Sequence, residues 1–556
     1  MNVEVVQRRL WEQSQEHRRL RDSSLPLFPV DRYAGRARGL MDLMHQPQWI
    51  AAACDRVLQR SRGKAAGVDR VLVSEFQQNQ RANLEVLRLE LKRGTYKPQP
   101  LRRVMIPKAN GKLRGLGIPC LRDKIVQEAI RMALEPIYEA EFHVHSYGFR
   151  PNRSTHHAIF RCQQMMQKGF TWVVEGDVKA CFDEISHEAI LRCLREKVMD
   201  NRFLELIRRL LKGGVEVQGV VHPTEKGVPQ GGVVSPLLSN VVLNKLDWFL
   251  HKQGRHGNDS GYAWKKGEPN VRFVRYADDW CVFLTRSSRS HAERLRDQVR
   301  DLLAVHCGVE LSLQKTRITH VRDGFDFLGF HLQVRRGQQG VPVPKVRIPR
   351  KALTNAVQRL SEAMRWQPTQ ESGAARLVRG SAVVTGWANY YKIAHDFNRI
   401  ANQLDYHAYW IAIKALCRRY DITPAQCIRR YSCGGSISIG DSYRLKHAQD
   451  VAATWLHTSP EPYEPGTGCY LDDVDWEAEV RRYENQQRPG RMDFKAWTLF
   501  RDGYRCRHCG TRVTPENSEA DHIKPVSSFA SYAQATHLLN LQTLCLECHK
   551  RKTNAK

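Results

Sequence analysis

What this chain lacks narrows its role before any motif is read. It has no run of about 18 apolar residues, so no membrane-crossing helix is expected. Met1 is followed by Asn-Val-Glu-Val-Val-Gln-Arg-Arg rather than by an apolar segment and a small-residue cleavage site. A secretory signal is therefore not expected, and the chain is expected in the cytoplasm. Internal repeats and low-complexity tracts are also missing. The fifteen cysteines are odd in number, and most sit singly in apolar segments, as Cys120, Cys162, Cys281 and Cys417 do. That is the pattern of small buried hydrophobes in a reducing compartment, not of a disulfide framework. Acidic residues are few: 58 Asp and Glu against 87 Lys and Arg leave a formal net charge of +29. Such an excess attracts polyanions, nucleic acid above all. Solubility or anionic-lipid binding would also use charge, but no amphipathic anchor stands out.

What is present suffices for several domains. A length of 556 residues exceeds one compact core and suggests about three to five units. Hydrophobic residues make up 42% of the chain, enough to rule out disorder throughout. Residues 1–60 read as helical and basic, without identifiable chemistry. Leu84, Leu87 and Leu91 give a helical period over Arg81–Lys92, stopped at Gly94. Leu101–Ile106 and Leu113–Ile118 read as strands joined through Asn110-Gly111, a hairpin turn signal. Trp172–Asp177 reads as a strand before a helix starting near Ser186. Val271–Arg275 and Trp280–Thr285 flank a tip that carries Asp278 and Asp279. Residues 350–450 read as helical and basic, and the Pro-rich stretch 459–466 as a linker.

Three carboxylates, Asp177, Asp278 and Asp279, follow two apolar strands about a hundred positions apart. An isolated Asp-Asp after a strand is usually a turn. Adjacent unpaired carboxylates repel, and a site that holds them needs cations. Two Mg²⁺ ions would suit oxygen ligands and clamp the attacking and leaving oxygens of a phosphoryl displacement.

The surrounding motifs decide between these readings. Tyr276-Ala277-Asp278-Asp279 resembles the tetrad of reverse transcriptases. Asp177-Val178-Lys179-Ala180-Cys181-Phe182-Asp183 resembles their first carboxylate motif, and Gly227-Val228-Pro229-Gln230-Gly231-Gly232 before Ser235-Pro236-Leu237-Leu238 resembles their template-contacting motif. Arg102–Pro119 resembles the fingers hairpin of group II intron enzymes. Lys315-Thr316 and Phe327-Leu328-Gly329 resemble the last palm motifs. The likeness spans roughly residues 60 to 335. It implies metal binding by Asp177, Asp278 and Asp279. It also implies nucleotide or template contacts from Lys108, Arg114, Phe182, Gln230 and Lys315, with Phe182 packing on the sugar and excluding a 2′-hydroxyl. Gly115, Ser312 and Cys181 depart from the family pattern without touching a metal ligand.

Residues 377–395, centred on Gly386-Trp387-Ala388-Asn389-Tyr390-Tyr391, resemble the maturase (X) domain of intron-encoded proteins, and Leu404–Arg419 its second helix. A thumb that only grips the template–primer duplex would share this basic, aromatic composition.

Cys506, Cys509, Cys545 and Cys548 form two C-x₂-C pairs, a donor set suited to structural Zn²⁺. The intervening residues exceed ordinary zinc-ribbon spacing. Asp521-His522, Asn540 and His549 lie among and after these pairs and resemble the His-Asn-His nuclease motif. That resemblance implies that His522 activates water, that Asp521 and His549 hold a divalent ion such as Mg²⁺, and that Asn540 fixes the loop bearing His522. His508 could replace a cysteine ligand but is expected to be free of the metal.

The expected fold is α+β and multidomain. A basic N-terminal extension covers 1–60, and right-hand polymerase fingers and palm with an antiparallel sheet cover 61–340. A helical thumb/X domain follows at 341–450, a linker and DNA-binding region at 451–490, and a zinc-bound ββα HNH domain at 491–556. The resemblance implies a bacterial group II intron-encoded protein of the cytosol or nucleoid. Its partners would be intron RNA, a double-stranded DNA target and deoxynucleoside triphosphates, with no membrane. Two other readings are a defence-type reverse transcriptase fused to a nuclease and a non-catalytic RNA-binding splicing factor.

Overall fold

The helical period over Arg81–Lys92 becomes a helix from Gln80 to Arg93, with Leu87 and Leu91 buried on its inner face. It belongs to a computed structural model that describes residues 1–22, 36–61, 66–107, 113–217, 219–229, 231–256, 260, 265–337, 341–365, 372–440, 442–454, 460, 463 and 465. In the C-terminal part it describes 498–499, 502, 505–514, 517–523, 525, 528 and 540–554.

The expected hairpin is present as β1 (Leu101–Pro107) and β2 (Leu113–Ile118), antiparallel, with Arg102 opposite Ile118. It does not stand alone. β3 (Trp172–Asp177) lies elsewhere, but β4 (Val215–Val217) joins β1 in parallel and β5 (Val220–His222) pairs with β4. The strand order of this sheet is β2-β1-β4-β5. β4 and β5 are three residues each, too short to show a period in sequence.

The central sheet has the order β6-β7-β3-β8, all neighbours antiparallel, with β6 at Asn270–Tyr276, β7 at Asp279–Thr285 and β8 at Arg317–His320. Alternate residues of one strand enter different cores because side chains alternate across a sheet. Trp280, Val282 and Leu284 of β7 face one core, while Cys281 and Phe283 face a second. Both faces are covered, so β7 reads as an unbroken apolar run instead of alternating.

The first core contains helices Leu121–Glu139 and Ser235–Gln253, here called the fingers helix and the palm helix. It also contains Leu10, Trp49, Ile50 and Val57 from helices Val3–Asp22 and Pro47–Ser61. Gln7 Nε2 donates to the Met132 carbonyl (2.9 Å), and Trp49 Nε1 donates to Ala129 (3.1 Å). The apolar core thus runs unbroken across residue 60.

The second core continues into helices Arg350–Met364, Gly373–Tyr391 and Phe397–Tyr420 through Leu360, Leu377, Val384, Phe397 and Leu404. A small sheet, β9 (Phe325–Phe327), β10 (Phe330–Arg336) and β11 (Pro342–Arg347), leads into it. The helical expectation for 350–450 needs one correction. Ser432–Cys433, Ser436–Ile439 and Tyr443–Arg444 form strands β12 to β14, a three-stranded sheet. Gly434-Gly435 supplies the two left-handed residues of its first turn, at φ 56° and 77°. Cys417 also differs from expectation, being half-buried, whereas Cys120, Cys162 and Cys281 are buried.

Most of the expected linker and DNA-binding stretch at 451–490 lies outside the described residues. Tyr463 is described and buried, with its ring 6.3 Å from that of Trp11 in the first helix. The chain beyond the thumb therefore returns to the N-terminal helix. The C-terminal domain pairs β15 (Ser518–His522) with β16 (Leu541–Cys545) ahead of the helix Leu546–Asn554. Among the described residues, no helix is long and apolar enough to cross a membrane.

Candidate active sites

The sheet register brings two of the three polymerase carboxylates face to face. Asp177 ends β3 opposite Asp279, which begins β7. Asp278 sits in the β6–β7 turn, where Ala277 adopts a left-handed φ of 57°. The turn is held from behind by Arg275, a fully buried residue at the end of β6. Its guanidinium donates to Asp247 Oδ1 (2.7 Å) and Oδ2 (2.6 Å), to Asn240 Oδ1 (2.8 Å) and to the Ala277 carbonyl (2.8 Å). Asp247 and Asn240 belong to the palm helix. A bidentate, fully desolvated pair of this kind fixes geometry, because each partner is costly to leave alone.

The site is electrostatically unfinished. Burial, then Asp278, then Asp177 push the Asp279 carboxyl up to about 7. Asp278 is raised as well, chiefly by burial. Carboxylates this close and this dry cannot all ionise without a cation. Lys315 supplies one: its Nζ lies 2.7 Å from Asp177 Oδ2, and its own value is raised by that contact. Sequence reasoning assigned Lys315 to nucleotide or template; it stands against the first carboxylate. The turn that carries it is tied to β3, since the Ser312 N–H donates to the Asp177 carbonyl (3.0 Å).

Phe182 is half-buried and packs on the first core. Its carbonyl accepts from the Val228 N–H (2.6 Å), and the Gly227 N–H donates to Ile185 (2.7 Å). Gly227 has φ 86°, and a Cβ there would lie 2.6 Å from the Asp183 carbonyl oxygen, so only glycine lets the two segments meet. The motif at 227–232 is thereby locked beneath Phe182. Lys108 and Gln230 lie outside the described residues, as does the Arg114 side chain; the Arg114 backbone pairs with Ile106.

In the C-terminal domain the four cysteine sulfurs lie within 4.8 Å of one another. The Cys509 and Cys545 sulfurs are 3.8 Å apart. A tetrahedral Zn²⁺ with Zn–S bonds of about 2.3 Å would require S···S edges of about 3.8 Å. The Cys509 thiol is pushed down to about 6, first by its hydrogen bond with Thr511, while Cys548 is pushed up to about 12, first by its hydrogen bond with Cys545. The donor set therefore fits the ion. His508 is not part of this four-sulfur group, although its Nδ1 lies 3.5 Å from Cys548 Sγ.

Asp521 and His549 come together across β15 and the following helix, at 3.9 Å between Oδ1 and Nε2. Asp521 also accepts from Gln542 Nε2 (3.1 Å) and from Lys552. These two residues escaped sequence reasoning. Gln542 is the register partner of Asp521, and Lys552 follows His549 by one helical turn. The second signal was available from i, i+3 spacing. His522 ends β15, and the Ile523 N–H after it donates to the Asn540 carbonyl (2.6 Å). Asn540 thus holds the chain beside His522 through its backbone.

A carboxylate-tipped antiparallel sheet with a helical thumb, followed by a cysteine-stapled ββα unit, defines a polymerase joined to a nuclease. The comparisons agree. Residues 106–332 match the family "Reverse transcriptase (RNA-dependent DNA polymerase)", and residues 506–555 match "HNH endonuclease". The chain is 39% identical over 356 residues to Protein YkfC of Escherichia coli (strain K12), covering 60% of this chain and 92% of that one. It is 28% identical over 542 residues to the group II intron-encoded protein LtrA of Lactococcus lactis subsp. cremoris, covering 83% and 87%. It is 26% identical over 294 residues to nuclear intron maturase 1, mitochondrial, of Arabidopsis thaliana, covering 39% and 41%. The chain belongs to the family of group II intron-encoded proteins, and it combines RNA-directed DNA polymerase and HNH endonuclease domains.

Proposed function

We propose that this chain moves an intron by target-primed reverse transcription and assists splicing of the same intron RNA as a maturase. The RNA partner would be a group II intron, and the DNA partner a double-stranded target nicked by the HNH domain. The freed 3′-hydroxyl would then be extended with deoxynucleoside triphosphates on the intron template, in the cytoplasm. The observation that carries this reading is the meeting of Asp177, Asp278 and Asp279 at one sheet end, in a chain that also carries a nuclease domain.

Asp177, Asp278 and Asp279 would hold two Mg²⁺ ions, which when bound stabilise the charge on attacking and leaving oxygens. Around them the chain positions the reactants. Phe182 packs against the sugar, while Lys108, Arg114 and Gln230 would contact the triphosphate and template. Lys315 neutralises Asp177 until the nucleotide arrives. In the nuclease, His522 takes the proton of the attacking water, a task suited to an imidazole near neutral pH. Asp521 and His549 would hold a divalent ion, and Lys552 would release Asp521 to it. Cys506, Cys509, Cys545 and Cys548 would hold structural Zn²⁺.

The test is primer extension on an RNA template with Mg²⁺, comparing wild type with Asp278→Ala, alongside nicking of a duplex by wild type and His522→Ala. Sequencing of co-purified RNA identifies the partner. Template-dependent cDNA lost in the first variant, nicking lost in the second and intron sequence in the bound RNA are the expected results. Folded wild-type protein that extends no primer would leave a splicing factor with a nuclease attached. Bound RNA without intron sequence would favour the defence-type enzyme.

A further inference from the structure

A bulky residue held in a left-handed conformation beside a reaction centre calls for a reason. Phe149 is such a residue, with φ 58°. Its conformation is imposed from both sides. On one side, Tyr147 N–H donates to the Arg275 carbonyl (2.8 Å), and Asn240 Nδ2 donates to the Gly148 carbonyl (2.8 Å). Gly148 packs so closely on the catalytic turn that a Cβ there would lie 2.3 Å from the Ala277 nitrogen. On the other side, the buried Arg150 donates to Glu139 (3.0 Å) and to the carbonyls of His143 (2.7 Å) and Ser146 (2.8 Å). The loop is thus clamped to the Asp278 turn at Gly148 and to the fingers helix at Arg150.

The clamp has a consequence for the ring. Two apolar cores lie nearby, yet Phe149 enters neither and stays 56% exposed. Its ring meets Phe182 edge-on, with centroids 6.0 Å apart and planes at 86°. This is the favoured T-shaped geometry of an aromatic pair. Stability alone would place a glycine or asparagine at such a φ, and would bury an aromatic. Neither preference is met here, and the ring is left exposed in contact with Phe182.

We propose that Phe149 is a specificity-determining residue of the polymerase site. It braces Phe182 edge-on and forms with it an aromatic corner against which the sugar of the incoming deoxynucleotide packs. The inference rests on the reading of Asp177, Asp278 and Asp279 as the polymerase centre and of Phe182 as the residue that meets the sugar. Without the Phe149 ring, Phe182 can turn aside, and a 2′-hydroxyl is then admitted.

The test uses full-length protein in primer extension on an RNA template, with deoxynucleotides and ribonucleotides measured separately. Phe149→Gly is the informative variant, because glycine adopts this φ freely and the fold keeps or gains melting temperature. Expected for it are a KM for deoxynucleotide raised about tenfold, a kcat within about threefold, and discrimination against ribonucleotides reduced about tenfold. Phe149→Tyr retains the ring edge and restores both KM and discrimination. A Phe149→Gly protein that melts higher but keeps wild-type KM and discrimination would overturn the proposal, as would a fall confined to kcat. Absence of extension by wild type would overturn the polymerase reading itself, a result distinct from either.

Discussion

The polymerase part and the C-terminal domain solve the same stability problem with different means. The first buries two large apolar cores and closes them with desolvated ion pairs, Arg275–Asp247 and Arg150–Glu139 among them. Among its described residues, the second gathers only Leu499, Val513 and Leu544 around Cys506 and Cys548. A domain whose described core is this small gains from a cross-link, and a metal held by the four thiolates would provide it. The polymerase part thus places its carboxylates on a frame closed by apolar cores and buried ion pairs. In the nuclease both the frame and the chemistry would depend on metals.

That contrast can be broken experimentally, and the largest effect should come from the zinc site. Chelation or Cys545→Ser should unfold the C-terminal domain and abolish nicking, because metal binding there is folding free energy. Primer extension should persist in a chelator that spares Mg²⁺. Parallel nicking and extension assays check this, and loss of both activities together would join the two parts into one cooperative unit.

Next in size is Asp278→Ala, which should cut extension by about a thousandfold or more while leaving nicking intact. Asp247→Ala then strikes the frame instead of the chemistry. It strands the buried Arg275 charge and should cost about 3–5 kcal/mol of polymerase stability. Thermal melting followed by domain-specific proteolysis would register this, with the C-terminal domain unaffected.

The smallest effect is a pH dependence. As a ligand of the proposed Mg²⁺, Asp279 would be contested by protons, because its carboxyl is raised to about 7. Below that pH the Mg²⁺ concentration for half-maximal extension should rise by up to about tenfold per unit. The sign for stability is opposite. A raised acid contributes stability that is complete below the ordinary carboxylate range and lost as pH rises through about 7. Asp279→Asn, inactive in extension, should therefore melt well above metal-free wild type at pH 8, less so at pH 5, with the gap closing only below the ordinary carboxylate range. A melting difference that does not grow between pH 5 and pH 8 would remove Asp279 from the account.

The same contrast governs what can be read from sequence. Local signals are legible. Asn110-Gly111 marks the hairpin, the apolar runs mark β3 and β7, and the C-x₂-C pairs mark the staple, because each depends on neighbours along the chain. Short-range spacing also holds enough to place Lys552 on the face of His549. Non-local partners are not legible. Nothing around Asp247 announces that Arg275, 28 residues on, will close over it. β4 joins β1 across more than a hundred residues, and the Ser432–Arg444 sheet is masked by helix-like flanks. The N-terminal helices carry no motif, yet Trp49 is wholly buried against the fingers helix.

By itself, then, the amino-acid sequence determined which residues each kind of chemistry would draw on: carboxylates suited to metal ions, thiolates suited to a staple, and a His-Asn-His set inside the stretch that matches HNH endonucleases. Those depend on residue identity and short spacing, which a linear pattern records. Only the tertiary structure decided which carboxylates face each other, that Lys315 waits on Asp177, and that Phe149 stands exposed against Phe182. Those are set by strand register and by clamps between distant segments, and the free energy that holds them comes from burial and desolvated hydrogen bonds that exist only once the chain has folded.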